Sequence, residues 1–205
     1  MKRLVLLLLL LGATAWPAAL AAQTRARTRD DYDEVFRKYS KRFFGPGFDW
    51  QYFKAQGMAE SNLTADARSH AGARGIMQLM PSTYQAIRTS QPELKEIDDP
   101  ESNIAAGIRY DRDLWRGYRD HADDGERLRF MFGGYNAGPG TMRRAKGVAR
   151  SEQLDEYRWQ SVASVAPKVQ RWRYRETLGY VDRIELHYQA LRAQPGRANA
   201  VRREQ

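Results

Sequence analysis

Ala59-Glu60-Ser61-Asn62-Leu63-Thr64-Ala65-Asp66-Ala67-Arg68-Ser69-His70-Ala71-Gly72-Ala73-Arg74-Gly75-Ile76-Met77-Gln78-Leu79-Met80-Pro81-Ser82-Thr83 is the stretch on which the reading of this chain turns. An apolar run that starts at Trp50 ends at one carboxylate, Glu60, and a glycine-containing turn and a second short apolar run follow. Glu60 therefore sits where a helix gives way to a loop. A carboxyl group there can be half buried and still meet a ligand. Against apolar neighbours its ionised form is destabilised, so its pKa is expected to rise towards neutrality. A glutamate near a helix C-terminus also opposes the helix dipole, a mild misfit with simple helix stability.

Outward from this stretch the pattern is helical. Tyr32, Val35, Phe36 and Tyr39 have helical spacing and predict a short amphipathic helix over residues 31–44, broken by Gly45-Pro46-Gly47. Asp49 reads as an N-cap for a helix carrying Trp50, Phe53, Gly57 and Met58 up to Glu60 or Ser61. Residues 62–75 read as a loop, and Pro81 opens a helix to about Arg88. Asp99-Pro100 is a strong start for a long helix lined by Ile104, Ile108, Leu114, Trp115 and Tyr118. A helix from Leu128 is expected to end at Gly133-Gly134, leaving Tyr135 and Asn136 in a glycine-rich corner. A short helix is expected over residues 142–148, residues 149–170 give no clear pattern, and a last helix runs from about Trp172 to Leu191. No period-2 strand and no internal repeat is found, so the expected fold is one all-α domain.

Composition narrows the setting. The chain has 205 residues, 42% hydrophobic and 11% aromatic, enough for one domain with a real core. It has no cysteine, which excludes disulfides, thiolate metal sites and a lipid-modified N-terminal cysteine. Lys2 and Arg3, the leucine-rich run from Val5 to Leu11 and the small residues around Ala19–Ala22 read as a secretory signal peptide. The expected organisation is a signal peptide over 1–22, an N-terminal arm and short helix over 23–48, a domain over 49–191 and a polar tail over 192–205. Net charge is +9; without Lys2 and Arg3 it is 9 − 2 = +7. An exported basic protein meets acidic wall polymers and anionic lipid, whereas export separates it from nucleic acid. No stable membrane insertion is expected once the signal is cleaved.

Several chemistries lack their residues. The histidines His70, His121 and His187 are scattered without a His-Glu-x-x-His pattern, which argues against a metal hydrolase. No Gly-x-Ser-x-Gly elbow and no phosphate-binding loop with lysine is present. Asp98, Asp99, Asp111 and Asp113 could supply a second carboxylate, but Asp99 reads as a cap and the others as helix residues beside arginines.

The quoted stretch resembles the signature of the soluble lytic transglycosylase family. Glu60-Ser61 matches its Glu-Ser pair, and Gly75-Ile76-Met77-Gln78 its Gly-Leu-Met-Gln block, followed by Leu79-Met80-Pro81-Ser82-Thr83. Asp99 to Ile104, Gly134-Tyr135-Asn136 and Glu176-Thr177-Leu178-Gly179-Tyr180-Val181 match three further blocks, in family order, over roughly Asp49 to Tyr188. Ile76 and Gly134 depart from the usual Leu and Ala, and the second change is expected to loosen the turn before Tyr135. The resemblance implies a lysozyme-like helical domain, no metal and no cofactor, and cleavage of the MurNAc–GlcNAc bond of peptidoglycan with 1,6-anhydroMurNAc ends. It implies Glu60 as the sole catalytic acid/base. Ser69 and Gln78 would bind substrate or orient Glu60, Met80 and Tyr135 would line the cleft, Asn136 would hold the corner or a substrate amide, and Tyr180 would approach Glu60 from the last helix. Ser61 is expected to be structural. A periplasmic monomer is expected, with an envelope protein as a further partner left open by the Arg-rich residues 23–30 and 192–205. A goose-type hydrolytic muramidase and a non-catalytic wall-binding module are the alternatives.

Overall fold

A computed structural model describes residues 32–121 and 123–193. The signal-peptide segment, the Arg-rich residues 23–30 and nearly all of the 192–205 tail lie outside the described residues. The elements are α1 (Asp33–Phe44), α2 (Gln51–Ser61), α3 (Pro81–Ser90), α4 (Pro100–Gly117), α5 (Asp124–Ala137), α6 (Pro139–Ser151), α7 (Trp159–Val165), a 3-10 turn (Ala166–Lys168) and α8 (Tyr174–Arg192). Among the described residues β-structure is confined to two isolated bridges inside the 62–80 loop, Arg68 with Arg74 and Arg74 with Leu79. No helix among them is long and apolar enough to cross a membrane.

The core forms where the apolar stripes meet. Helix α2 lies along α8, α1 along α4, and α5 is enclosed by α4, α6 and α8. Phe36, Phe53, Ile76, Met77, Ile104, Ile108, Met131 and Tyr180 are almost wholly buried between them. Asp49 ties the start of α2 to the end of α8: one carboxylate oxygen accepts the Gln51 N–H at 3.0 Å, and the other accepts the Tyr188 hydroxyl at 3.0 Å. The Tyr188 ring stacks on Tyr52 with centroids 3.8 Å apart. Asp99 accepts the Ser102 N–H at 2.9 Å and so caps α4, with Pro100 in its first turn.

The expected end of α5 is overturned. Gly133 and Gly134 do not end α5, which runs from its Asp123 cap through both glycines to Ala137. A Cβ on Gly133 would stand 2.6 Å from the Trp159 ring, and one on Gly134 would stand 2.7 Å from the Tyr118 hydroxyl. The glycines serve close approach of neighbouring side chains inside the helix, and that burial outweighs their low helix propensity. Gly134 therefore loosens no turn. The break comes at Gly138, φ 82°, whose N–H bonds the Gly134 carbonyl at 2.9 Å, and Pro139 opens α6 directly. The segment without clear pattern holds the last turn of α6, α7 and the 3-10 turn.

Candidate active site

Helix α2 stops at Asn62, which takes the left-handed conformation with φ 54° and returns its N–H to Met58 and Gly57. This cap places Glu60 in the final turn, with its side chain against α8. Tyr180, buried on α8, donates its hydroxyl to Glu60 Oε1 at 2.6 Å. Glu60 remains partly open to solvent as a residue, yet its carboxyl end is desolvated. Burial holds its pKa up at about 7 from an ordinary 4.5. The Tyr180 hydrogen bond and the Arg183 charge pull it down, and Glu176 pushes it up. Desolvation wins, as expected for a carboxyl facing tyrosine rings rather than a direct cation.

The loop after α2 is built as a rigid shelf. Ser61 Oγ donates to the Ile76 carbonyl at 2.9 Å and accepts the Thr64 N–H at 3.1 Å, so Ser61 closes the loop base. Gln78 adopts φ 45°, and its amide donates to the carbonyls of Gly75 at 2.8 Å and Ala67 at 3.2 Å. Ser69 is exposed, and its Oγ accepts the Ala73 N–H at 2.9 Å. Those bonds of Ser69 and Gln78 run to the loop itself, not to Glu60. Met80 is 41% exposed at the start of α3.

The loop is fastened to the core by a residue to which sequence reasoning gave no role. Asn103, wholly buried on α4, accepts the Met77 N–H at 2.8 Å and donates to the carbonyls of Arg74 at 3.0 Å and Ile97 at 2.9 Å. Gly75, φ 77°, lies so close that a Cβ there would stand 2.4 Å from the Asn103 amide. The available signal was an asparagine in the first turn of α4, directly before the apolar stripe that begins at Ile104. From the other side, the Tyr135 hydroxyl donates to the Met77 carbonyl at 2.8 Å, and its ring lies 5.3 Å from that of Tyr110. Burial and the nearby Glu60 both push the Tyr135 phenol up. Asn136, in the last turn of α5, accepts the Thr177 hydroxyl at 2.8 Å, and Thr177 accepts the Trp172 indole N–H at 3.0 Å. A pocket of about 200 Å³ opens beside them, lined by Asn136, Thr141, Trp172, Arg173, Glu176 and Thr177.

Glu60, Tyr135 and Tyr180 thus stand together, and Asn136 is held one hydrogen bond from α8. Of the four aspartates, Asp98 meets Arg68 and Arg74, Asp99 caps α4 and Asp113 pairs with Arg109. Asp111 differs from the expectation. It sits beside no arginine partner but fully buried on the core stripe of α4, where it accepts the Gln56 amide at 3.3 Å. Its position three residues after Ile108 and four before Trp115 was the signal. No group of three His, Cys, Asp or Glu among the described residues is arranged to hold a metal.

This arrangement can deliver and retrieve a proton near neutral pH from one carboxyl oriented by a phenol. Tyr180→Phe removes a hydrogen bond that favours the ionised carboxylate, so the NMR titration midpoint of Glu60 is expected to rise. A midpoint that stays or falls would contradict the assigned role of that bond.

The transglycosylase SLT domain model matches residues 35–157. A membrane-bound lytic murein transglycosylase F from Desulfosudis oleivorans is 33% identical over 159 residues, covering 71% of this chain and 34% of that protein. The 70 kDa soluble lytic transglycosylase from Escherichia coli superposes with a TM-score of 0.60 at 26% identity, over 78% of this chain and 24% of that one. A complex of the 70 kDa soluble lytic transglycosylase with bulgecin A shares the fold, with a TM-score of 0.64 at 24% identity over 82% of this chain and 25% of that one. The chain spans about a third of the length of that curated relative.

Proposed function

The chain belongs to the transglycosylase SLT domain family, and from that premise we propose that it is a peptidoglycan lytic transglycosylase with Glu60 as its acid/base. The observation that carries the reading is the Glu60 carboxyl, protonated to about pH 7 and bonded to Tyr180. Most glycosidases use two carboxylates. Here one suffices if the substrate supplies the second function. Glu60 protonates the oxygen bridging MurNAc C1 and GlcNAc, and the C1–O bond breaks. The MurNAc 2-acetamido oxygen stabilises the positive charge developing at C1. The Glu60 carboxylate then takes the proton of the MurNAc C6 hydroxyl as O6 bonds to C1. The proton returns to Glu60, no water is consumed, and the products are a 1,6-anhydroMurNAc end and a GlcNAc end.

The remaining predicted residues have roles consistent with this chemistry. Met80, exposed at the loop edge, offers an apolar surface to a sugar ring. The loop clamped by Ser69, Gln78 and Tyr135 supplies a preformed wall, so little ordering cost is incurred on binding. Asn136 fixes the end of α5 beside the 200 Å³ pocket. The net charge of 9 − 2 = +7 that remains without Lys2 and Arg3 suits an acidic wall polymer in the periplasm. Asp111 has no route to solvent along which it could position an attacking water, so the geometry gives no support to a hydrolytic muramidase.

Mass spectrometry of sacculi digested with the protein tests the reaction. Muropeptides lighter by one water than hydrolytic products are expected. Reducing, non-anhydro ends alone would move the chain to the muramidases, and binding without products would favour a wall-binding module.

A further inference from the structure

One turn before Glu60 on α2, Gln56 is wholly buried and donates from Nε2 to Asp111 Oδ1 at 3.3 Å. Two atoms of this pair are buried with no partner, Gln56 Oε1 and Asp111 Oδ2. Each is an acceptor if Asp111 is ionised, and two buried acceptors without donors are a costly arrangement. One proton resolves both. We propose that Asp111 is a neutral carboxylic acid whose Oδ2–H donates to Gln56 Oε1, closing an acid–amide ring of two hydrogen bonds that positions the Glu60 turn of α2 and keeps a second negative charge away from Glu60.

The balance of the surroundings favours the uncharged form. Gln56 and Glu60 on α2 act on Asp111, and Asp111 in turn acts on Tyr110 on α4 itself, Tyr135 on α5 and Tyr180 on α8. None is a cation. Burial pushes the Asp111 carboxyl well above the ordinary range, the Gln56 hydrogen bond opposes this, and the Glu60 charge adds to it. An ionised Asp111 would lose its hydration and face the Glu60 carboxylate. In the proposed ring the proton is shared between two side chains that touch neither solvent nor substrate. Asp111 and Gln56 are therefore positioning residues, and their effect on turnover rests on the transglycosylase reading of Glu60. A rigid ring at Gln56 fixes the rotation of α2 about its axis, and Glu60, four residues on, inherits that rotation.

Infrared difference spectroscopy of Asp111→Asn against its parent, both in a Glu60→Gln background at about pH 8, reads the proton directly. The carbonyl band of a neutral carboxylic acid is expected in the parent and absent in the variant. Absence of that band in the parent overturns the proposal. NMR titration gives a second readout: Asp111→Asn keeps both ring hydrogen bonds, so the Glu60 midpoint is expected not to move. A midpoint displaced to lower pH would mean that a real negative charge had been removed, and would also overturn it. Asp111→Leu strands the Gln56 amide and is expected to lower kcat about tenfold with KM unchanged, with Asp111→Asn restoring it. Failure of the transglycosylase reading would appear as no anhydro products from the wild type, while the infrared and titration results still decide the state of Asp111.

Discussion

Glu60→Gln is expected to abolish cleavage and, at neutral pH, to make the protein more stable. The first effect follows from the proposed chemistry: an amide can neither donate the proton to the leaving oxygen nor recover one from the C6 hydroxyl. A loss of about a thousandfold or more in kcat is expected, since one group serves as both acid and base. Binding to sacculi should persist, because the Gln side chain keeps the shape and can still accept the Tyr180 hydroxyl. The second effect follows from the proton. The folded carboxyl holds its proton to about pH 7, whereas the ordinary value is 4.5. Between those values the folded chain binds more protons than the unfolded one, so stability falls as pH rises through that window. Below it, Glu60 is neutral in both states and no penalty applies. Above it the full penalty is present, about 2 kcal/mol for a carboxyl that keeps partial contact with solvent. Gln carries no charge at any pH. Thermal melts should therefore show wild type and variant alike near pH 4, and the variant higher by roughly 5 °C at about pH 8. A pH-independent difference, or a less stable variant at alkaline pH, would contradict a strained carboxyl at this position. Anhydro products from the variant would remove Glu60 from the chemistry.

Asn103→Ala is expected to destabilise the chain by about 4 kcal/mol. The Asn103 amide makes three bonds to backbone groups at the base of the 62–80 loop, those of Met77, Arg74 and Ile97. The bonds to Met77 and Ile97 are buried and that to Arg74 is partly buried, and each buried group left orphaned costs about 1–3 kcal/mol. The costs are not additive, because the loop relaxes as its anchors go. Against a total of roughly 5–15 kcal/mol for a domain, this is a large fraction. Asn103→Asp should be at least as harmful: its second oxygen would face the carbonyls of Arg74 and Ile97 in place of a donor. Denaturant melts measure the loss, and hydrogen exchange over residues 67–79 should show where it falls. A loss under about 1 kcal/mol would mean that the loop is held by other contacts.

Helix periodicity made most of this fold readable in the sequence. The stripes of α1, α4 and α8, the Asp99-Pro100 start and the breaker at Gly45 are signals carried by residues within one or two turns of each other, and local backbone chemistry suffices to interpret them. Glu60 could be singled out for a similar reason, as a carboxylate at a helix end before a glycine-containing loop. The order of its neighbouring blocks carried the resemblance to a family of wall-cleaving enzymes.

What could not be read locally is what depends on partners far along the chain. Gly133 and Gly134 look like breakers by propensity, yet they lie inside α5 because Trp159 and Tyr118 occupy the space where side chains would be. Asn103 looks like an ordinary helix residue until the loop 26 residues earlier folds back onto its amide. Asp111 reads as one of several helix aspartates beside arginines, but α4 turns it inward to Gln56, 55 residues away. The proton on Glu60 is of the same kind. Residue type permits it, but only the packing of α8, which brings Tyr180 within 2.6 Å from 120 residues away, removes the water that would have kept the carboxyl ionised.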